Sequence, residues 1–291
     1  MHNSTDLDWT GERFLPGLGG NLALEHYHRY AFSRALARSK RVLDIACGEG
    51  YGSDMLAEVA SNVTGIDIAA ETIAHARATY RRMNLNFLQG ACTSINLPDA
   101  SIDLAVSFET LEHHAEHDLM LSELRRVLAT NGMLIMSTPD KAHYSNDPNY
   151  HNEFHVLELR AEEFIALISR HFPYAVFLGQ KIVYGSLMVP LNDGRDFLSF
   201  SMADDGPREN LKPIAFPYLL AIASPSPLPD LPASILDGTM THTHELNMLR
   251  QEHRVANDLL AAIHGSTYWR LAAPVRWIRK KLRYIQGKSD A

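Results

Sequence analysis

The chain is poor in cysteine: among 291 residues only Cys47 and Cys92 occur, and they form no Cys-x-x-Cys pair. The pattern therefore supplies no disulfide framework and no thiolate metal site, and it fits a reducing, cytoplasmic compartment. Basic charge is also short. Lys and Arg number 27 against 34 Asp and Glu, so the formal net charge is −7 and the surface as a whole does not suit nucleic acid. No apolar run approaches the ~20 residues that span a bilayer. Met1 to Arg13 is polar and acidic, without the basic and apolar regions of a signal peptide. No His-Glu-x-x-His motif is present. His113, Glu116 and His117 assemble with His151 and His155 into a metal site only on paper, and the expectation is no metal. What remains is a globular chain long enough for one sizeable core and an appendage.

Against these absences stands one dense stretch, Val42-Leu43-Asp44-Ile45-Ala46-Cys47-Gly48-Glu49-Gly50-Tyr51-Gly52. An apolar strand runs into glycines at alternate positions, and a helical pattern follows at Met55, Leu56 and Val59. Glycines at such a turn let the backbone bend sharply and approach a ligand. A second short strand ends in Asp67, placed to accept hydrogen bonds from ribose hydroxyls. A nucleoside-containing cofactor at the carboxyl ends of parallel strands follows. A dinucleotide fingerprint needs a glycine where Ser53 stands. Asp44 and Glu49 put negative charge around the turn, unwelcome to a pyrophosphate but tolerable to a sulfonium.

Residues 42–139 resemble a class I S-adenosylmethionine-dependent methyltransferase. VLDIACGEGYG resembles the first motif and VTGIDIA the second. NFLQGACTSINLPDASIDLAVSFETLEHH resembles the third and fourth, and RRVLATNGMLIMSTPD the strand after them. The resemblance implies S-adenosylmethionine as cofactor, held by Asp44, Gly48, Gly50, Asp67, Ile68 and Ser107. It departs where the family often has an acidic residue against the adenine amino group. Ala91 stands there, which leaves adenine to backbone near Ala91 and Cys92.

The fold expected is α/β, a doubly wound, mostly parallel seven-stranded sheet with a C-terminal helical extension. Strands are predicted near 42–46, 63–67, 86–89, 102–107, 133–138, 174–178 and 216–223. Helices are predicted over 22–38, 53–60, 70–83, 117–129 and 158–171. Residues 185–213 read as an insertion over the sheet's edge. The domain reading is an N-terminal cap over 1–40, a catalytic domain over 41–223, a Pro-rich spacer over 224–233 and an extension over 234–291.

Methyl transfer is an in-line displacement, so the acceptor atom must be held at near-attack distance. A hydroxyl also needs a base within hydrogen-bond reach, and histidine suits neutral pH. His113, after the fourth predicted strand, and Glu109 beside it are the first candidates. His151 and His155, after the fifth, are the next. His114 and His117 are read as residues at a helix start facing water. Trp9 to Phe14 and Glu25 to Tyr30 resemble N-terminal segments of polysaccharide-cluster methyltransferases, which fold over the cofactor. There Arg29 would pair the methionine carboxylate, and Tyr27 and Tyr30 would cover the sulfonium.

In the extension, Leu246, Leu249, His253, Ala256, Leu260 and Ile263 alternate spacings of three and four, a heptad seam over 246–263 that would pair two copies. Six basic residues follow from Arg270 to Arg283, with Trp269 and Trp277. A basic amphipathic tail of this kind suits an anionic membrane surface, peripheral at the inner face. STYWRLAAPVR is similar to a segment found beside modules of bacterial surface-polysaccharide clusters. The combined expectation is an O-methyltransferase acting on a sugar hydroxyl, in a sugar nucleotide or a lipid-linked glycan. The alternatives are a methyltransferase of a quinone-type phenol and a non-catalytic scaffold.

Overall fold

The computed structural model describes residues 20–144, 152–183, 185–191, 200–203, 206–209, 215–231, 233–267 and Trp269. Its centre is a sheet in which β1 (Arg41–Ile45) pairs in parallel with β2 (Asn62–Asp67) and β4 (Ile102–Phe108). β3 (Leu85–Gln89) extends β2, and β5 (Leu128–Pro139) extends β4, both in parallel. β6 (Tyr174–Val183), β7 (Gly185–Pro190), β10 (Tyr218–Ser224) and β11 (Ser234–Asp237) complete the other edge in antiparallel pairs. Nine strands result, in the order β11-β7-β6-β10-β5-β4-β1-β2-β3. β8 (Phe200–Ala203) and β9 (Gly206–Glu209) form a separate hairpin.

Period-two alternation sorts the core into two layers. Leu43, Ile45, Ala105, Leu134, Met136, Leu219 and Ala221 face α4 (His117–Val127) and α5 (Ala161–His171). Their neighbours Val42, Leu104, Val106, Ile135, Leu220 and Ile222 face α1 (Gly20–Leu36) and α2 (Tyr51–Ala57). Such strands, buried on both sides, read as continuous apolar runs, as these do. α3 (Ala70–Thr79) closes a smaller cluster with Cys47 and Phe87.

The seven predicted strands are all present, but the sheet has two more. β7 lies within the segment read as an insertion, and β11 within the one read as extension. Pro225 to Pro232 thus do not mark the boundary. Leu228 and Leu231 pack against the α1 layer, and the chain runs back to pair Ser234–Asp237 with β7. The chain divides instead between Asp237 and Gly238. The second unit contains α6 (Thr239–Gly265), on which Leu249, Leu260 and Ile263 are exposed. Residue 268 and residues 270–291, where the basic tail was placed, lie outside the described residues, as do Trp9 to Phe14 and His151. Among the described residues no helix is long and apolar enough to cross a membrane.

Candidate active site

The strand order reverses at β1, so the crevice between the carboxyl ends of β1 and β4 is where a ligand is expected. A cavity of about 700 Å³ opens there, within the size range of small-molecule sites. Two non-glycine residues flank it in the left-handed region: Ala46 after β1, at φ 57°, and Glu109 after β4, at φ 48°. Strain of this kind persists where surrounding contacts over-determine it, and it gathers at functional sites.

One wall is the glycine turn. Gly48 (φ 56°) and Gly50 (φ 99°) adopt a conformation that L side chains resist, and a Cβ on Gly50 would lie 2.7 Å from the Phe87 ring. Asp67 holds this turn from the end of β2. Its Oδ2 accepts from Gly48 N at 2.9 Å, and its Oδ1 from Ala69 N at 2.9 Å. Each carboxylate oxygen keeps a second lone pair, and Asp67 lines the cavity. Ile68 beside it is 72% exposed, a flat apolar surface at the cavity's rim. Ala91 and Cys92 line the cavity nearby. A left-handed glycine cradle, a carboxylate at ribose position and an exposed apolar platform fit S-adenosylmethionine.

Five residues assigned to the cofactor lie outside the cavity lining: Gly50, whose Cβ would meet Phe87 and Ala76, and Asp44, Ser107, Arg29 and Tyr27. Asp44 is buried beneath the turn, accepting from Ser53 Oγ at 2.6 Å and from the Tyr30 hydroxyl at 3.2 Å. Burial pushes its pKa up to about 7, against the pull of those two donors. It ties α1 and α2 to β1. Ser107 is fully buried in β4 and outside the cavity lining. Arg29 is also fully buried. Its Nε donates to Gln180 at 2.7 Å, its Nη1 lies 3.1 Å from Glu109, and it stacks 4.6 Å over the Tyr218 ring. A buried charge needs such partners. Arg29 therefore fixes Glu109, and its guanidinium is not among the cavity-lining groups. Tyr27 packs edge-on against Tyr51 at 5.7 Å, outside the lining, whereas Tyr30 does line the cavity.

The opposite wall follows β4. Glu109 is held by Arg29 and by Ser137 Oγ, 2.5 Å from its Oε1. A short 3₁₀ turn, Leu111–His113, then carries Glu112 and His113. Glu112 is 1% exposed, and burial, then the neighbouring Glu109, raises its pKa well above the carboxylate range. Thr138 donates to its Oε2 at 3.1 Å. The backbone carbonyl of Glu112 accepts from Val156 N and Leu157 N at 2.8 and 3.1 Å, which docks the 152–158 segment here. That docking brings His155 to His113, with ring centroids 5.2 Å apart. His113 and Glu109 are thus together, and His155 joins them.

His117 does not face water. It is 6% exposed and donates from Nε2 to Leu111 O at 2.7 Å, fastening the turn. His114 Nε2 lies 3.7 Å from Cys92 Sγ and 3.2 Å from Met120 Sδ. Sequence reasoning missed Tyr51, Tyr144 and Tyr218, which also line the cavity. His26 lines it too, with Nδ1 3.1 Å from the Tyr51 hydroxyl. Burial, and then Arg29, lower the His26 pKa to about 3, so it is a neutral group at the wall. No spacing rule links these residues before folding.

Residues 43–136 match the family described as "Methyltransferase domain". A "Probable S-adenosylmethionine-dependent methyltransferase" of Mycolicibacterium smegmatis is 38% identical over 165 residues, 56% of this chain and 63% of that protein. A "Fatty-acid O-methyltransferase" of the same organism is 30% identical over 115 residues, 39% of this chain and 42% of that one. The chain thus spans about three-fifths or less of the length of these relatives. A solved S-adenosylmethionine-dependent methyltransferase of Thermotoga maritima superposes with a TM-score of 0.50 at 15% identity, covering 70% of this chain and 90% of that one. That likeness concerns the fold alone.

Proposed function

We propose that this chain, whose residues 43–136 are a methyltransferase domain of the S-adenosylmethionine-dependent kind, methylates a hydroxyl oxygen on a polar small molecule. The acceptor class is a sugar, in a sugar nucleotide or a lipid-linked glycan. The observation that carries the reading is the meeting, across one cavity, of Gly48 and Asp67 with Glu109, Glu112, His113 and His155. Bound in the cradle, the cofactor supplies a methyl group activated on a sulfonium.

The chain's own residues do the rest. Asp67 would accept from the ribose hydroxyls, and Ile68 would offer an apolar surface to the base. His113 donates from Nδ1 to Phe154 O at 3.1 Å, and a carbonyl oxygen only accepts. The neutral ring therefore carries its lone pair on Nε2, the form able to take a hydroxyl proton. Glu112, whose Oε1 lies 3.9 Å from that Nε2, borders the same wall. Glu109, fixed by Arg29 and Ser137, orients the acceptor. The polar wall supports a hydroxylated acceptor, and the O-methyltransferase relative supports an oxygen nucleophile.

The second unit is proposed to place the enzyme without building the site. Exposed Leu249, Leu260 and Ile263 support pairing of α6 with a second copy. The basic residues 270–283 are proposed to meet an anionic membrane.

Release of S-adenosylhomocysteine, measured against panels of sugar nucleotides, phenols and fatty acids, tests the acceptor. Turnover with sugar nucleotides is expected. Turnover with phenols or fatty acids alone overturns the sugar reading. With the best acceptor, His113→Ala and Glu109→Gln should each lose about 10²–10⁴ in rate and still bind cofactor. Near-normal turnover of both places the base elsewhere.

A further inference from the structure

Glu112, His113 and His155 each offer one ligand atom, and these atoms lie within 4.8 Å of one another. We propose that they form a divalent-cation site at the acceptor end of the cavity, with open positions for two adjacent oxygens of the acceptor. Cation binding itself needs only these three residues. The role given to the cation rests on the methyltransferase reading above; with the cation bound, His113 Nε2 is a ligand, and Glu109 is the group left to take the hydroxyl proton.

Three features point this way. The donors are two imidazoles and one carboxylate, a set that binds first-row divalent metals and leaves coordination positions open. Both rings are oriented as metal-binding histidines are, by an acceptor on the far nitrogen. His113 Nδ1 donates to the Phe154 carbonyl, and His155 Nδ1 lies 2.5 Å from Glu158 Oε1. Each contact puts the lone pair on Nε2, and His113 Nε2 is on the Glu112 side, 3.9 Å from Oε1. Thirdly, the Glu112 carboxyl is 1% exposed and has Thr138 as a neutral partner, while the Arg29 guanidinium is taken up by Glu109. A buried carboxylate is costly without a cation, and this one faces the cavity.

The distances are wide for an occupied site. Donors about 2.0–2.1 Å from a metal lie roughly 3–3.5 Å apart. Occupancy would draw the donors together, and the two rings pack edge-on with centroids 5.2 Å apart. No spaced motif announces the set, because Glu112 and His113 are adjacent and His155 arrives through the docked 152–158 segment. That is why the sequence argued for no metal. Adjacent acceptor oxygens would then be selected: a vicinal diol of a sugar satisfies the open positions, and an isolated hydroxyl does not.

The experiment is a titration of the full chain, without cofactor or acceptor, with Mn²⁺ followed by electron paramagnetic resonance, and with Zn²⁺ in competition. Wild type should bind one equivalent. Glu112→Gln and His155→Ala should each bind at least tenfold more weakly. Glu158→Gln, which weakens the hold on the His155 ring, should lose about 10–100-fold. S-adenosylmethionine affinity, read on the same samples, should be unchanged in all three and shows that they are folded. Absence of a bound equivalent in wild type, or equal affinity in wild type, Glu112→Gln and His155→Ala, overturns the site. Full turnover in excess chelator also overturns it while leaving the methyltransferase reading intact. Cation binding without cofactor binding does the reverse.

Discussion

Replacing Gly52 by alanine should loosen the contact between α1 and the glycine turn. A Cβ at this position would lie 2.0 Å from Tyr30 Cζ and 2.2 Å from Cε1. Both are ring atoms, and the ring has nowhere to go. Tyr30 is 4% exposed, its hydroxyl reaches both Asp44 oxygens at 3.2 and 3.3 Å, and it packs edge-on against Tyr51 and Phe108 at 5.2 and 5.0 Å. The ring must move by more than 1 Å to restore ordinary contact. Overpacking of this kind costs about 1–3 kcal/mol. Losing the Tyr30–Asp44 hydrogen bond adds about 1 kcal/mol. Alanine is the better helix former inside α2, which returns about 1 kcal/mol. The net is about 1–3 kcal/mol, and at roughly 2–4 °C per kcal/mol for a domain of this size Tm should fall by about 2–12 °C. Thermal unfolding by circular dichroism measures it. S-adenosylmethionine affinity should fall as well, since Tyr30 and Tyr51 both line the cavity. An unchanged Tm would refute the reasoning, because it would mean that α1 is not seated on the turn as described.

Asp44→Asn tests the buried acid. Its pKa of about 7 in the folded chain stands above the unfolded value near 4, so the native state keeps a proton that the unfolded state releases. Stability therefore falls as pH rises from about 4 to 7, by an order of 4 kcal/mol in total. Asp44→Asn should gain on wild type across that window. A stability difference that is the same at pH 4 and pH 8 contradicts the buried acid, and the low-pKa His26 cancels in the comparison. A chain ending at Asp237 should stay folded and bind cofactor, yet elute as a monomer where the full chain elutes as a dimer; dimers of both would remove the α6 seam from the account. The same pair tests the tail. Six basic residues at about 1 kcal/mol each should carry only the full chain onto anionic liposomes, reversibly with salt.

The parts legible in the sequence are those whose signal is local. The apolar runs of β1, β4 and β5 are buried on both faces, and the glycines after β1 mark the turn by themselves. Asp67 is legible because it ends a strand beside that turn. Strand parity explains what was misplaced. Val42 faces the α1 layer, so Asp44, two residues on, points to the same side, where Tyr30 and Ser53 wait beneath the turn. The acidic position looks like cofactor chemistry until the partner helix is in place. Arg29 likewise finds Gln180 and Glu109, partners that no spacing connects to it. At the far edge, β11 has four residues and a weak alternation, so proline content outweighed it and moved the boundary. His155 reaches His113 through contacts that no spacing marks: Val156 N and Leu157 N bond the carbonyl of Glu112, and His113 Nδ1 bonds Phe154 O.

The central claim is that S-adenosylmethionine binds where the glycine turn meets Asp67, and titration calorimetry of wild type and Asp67→Ala tests it most directly. Asp67 holds Gly48 N and Ala69 N and faces the cavity, so its loss removes charge-assisted hydrogen bonds of about 1.5–3 kcal/mol to the ribose. The account predicts binding by wild type and a dissociation constant at least about tenfold higher in the variant. An unchanged dissociation constant in Asp67→Ala would contradict it.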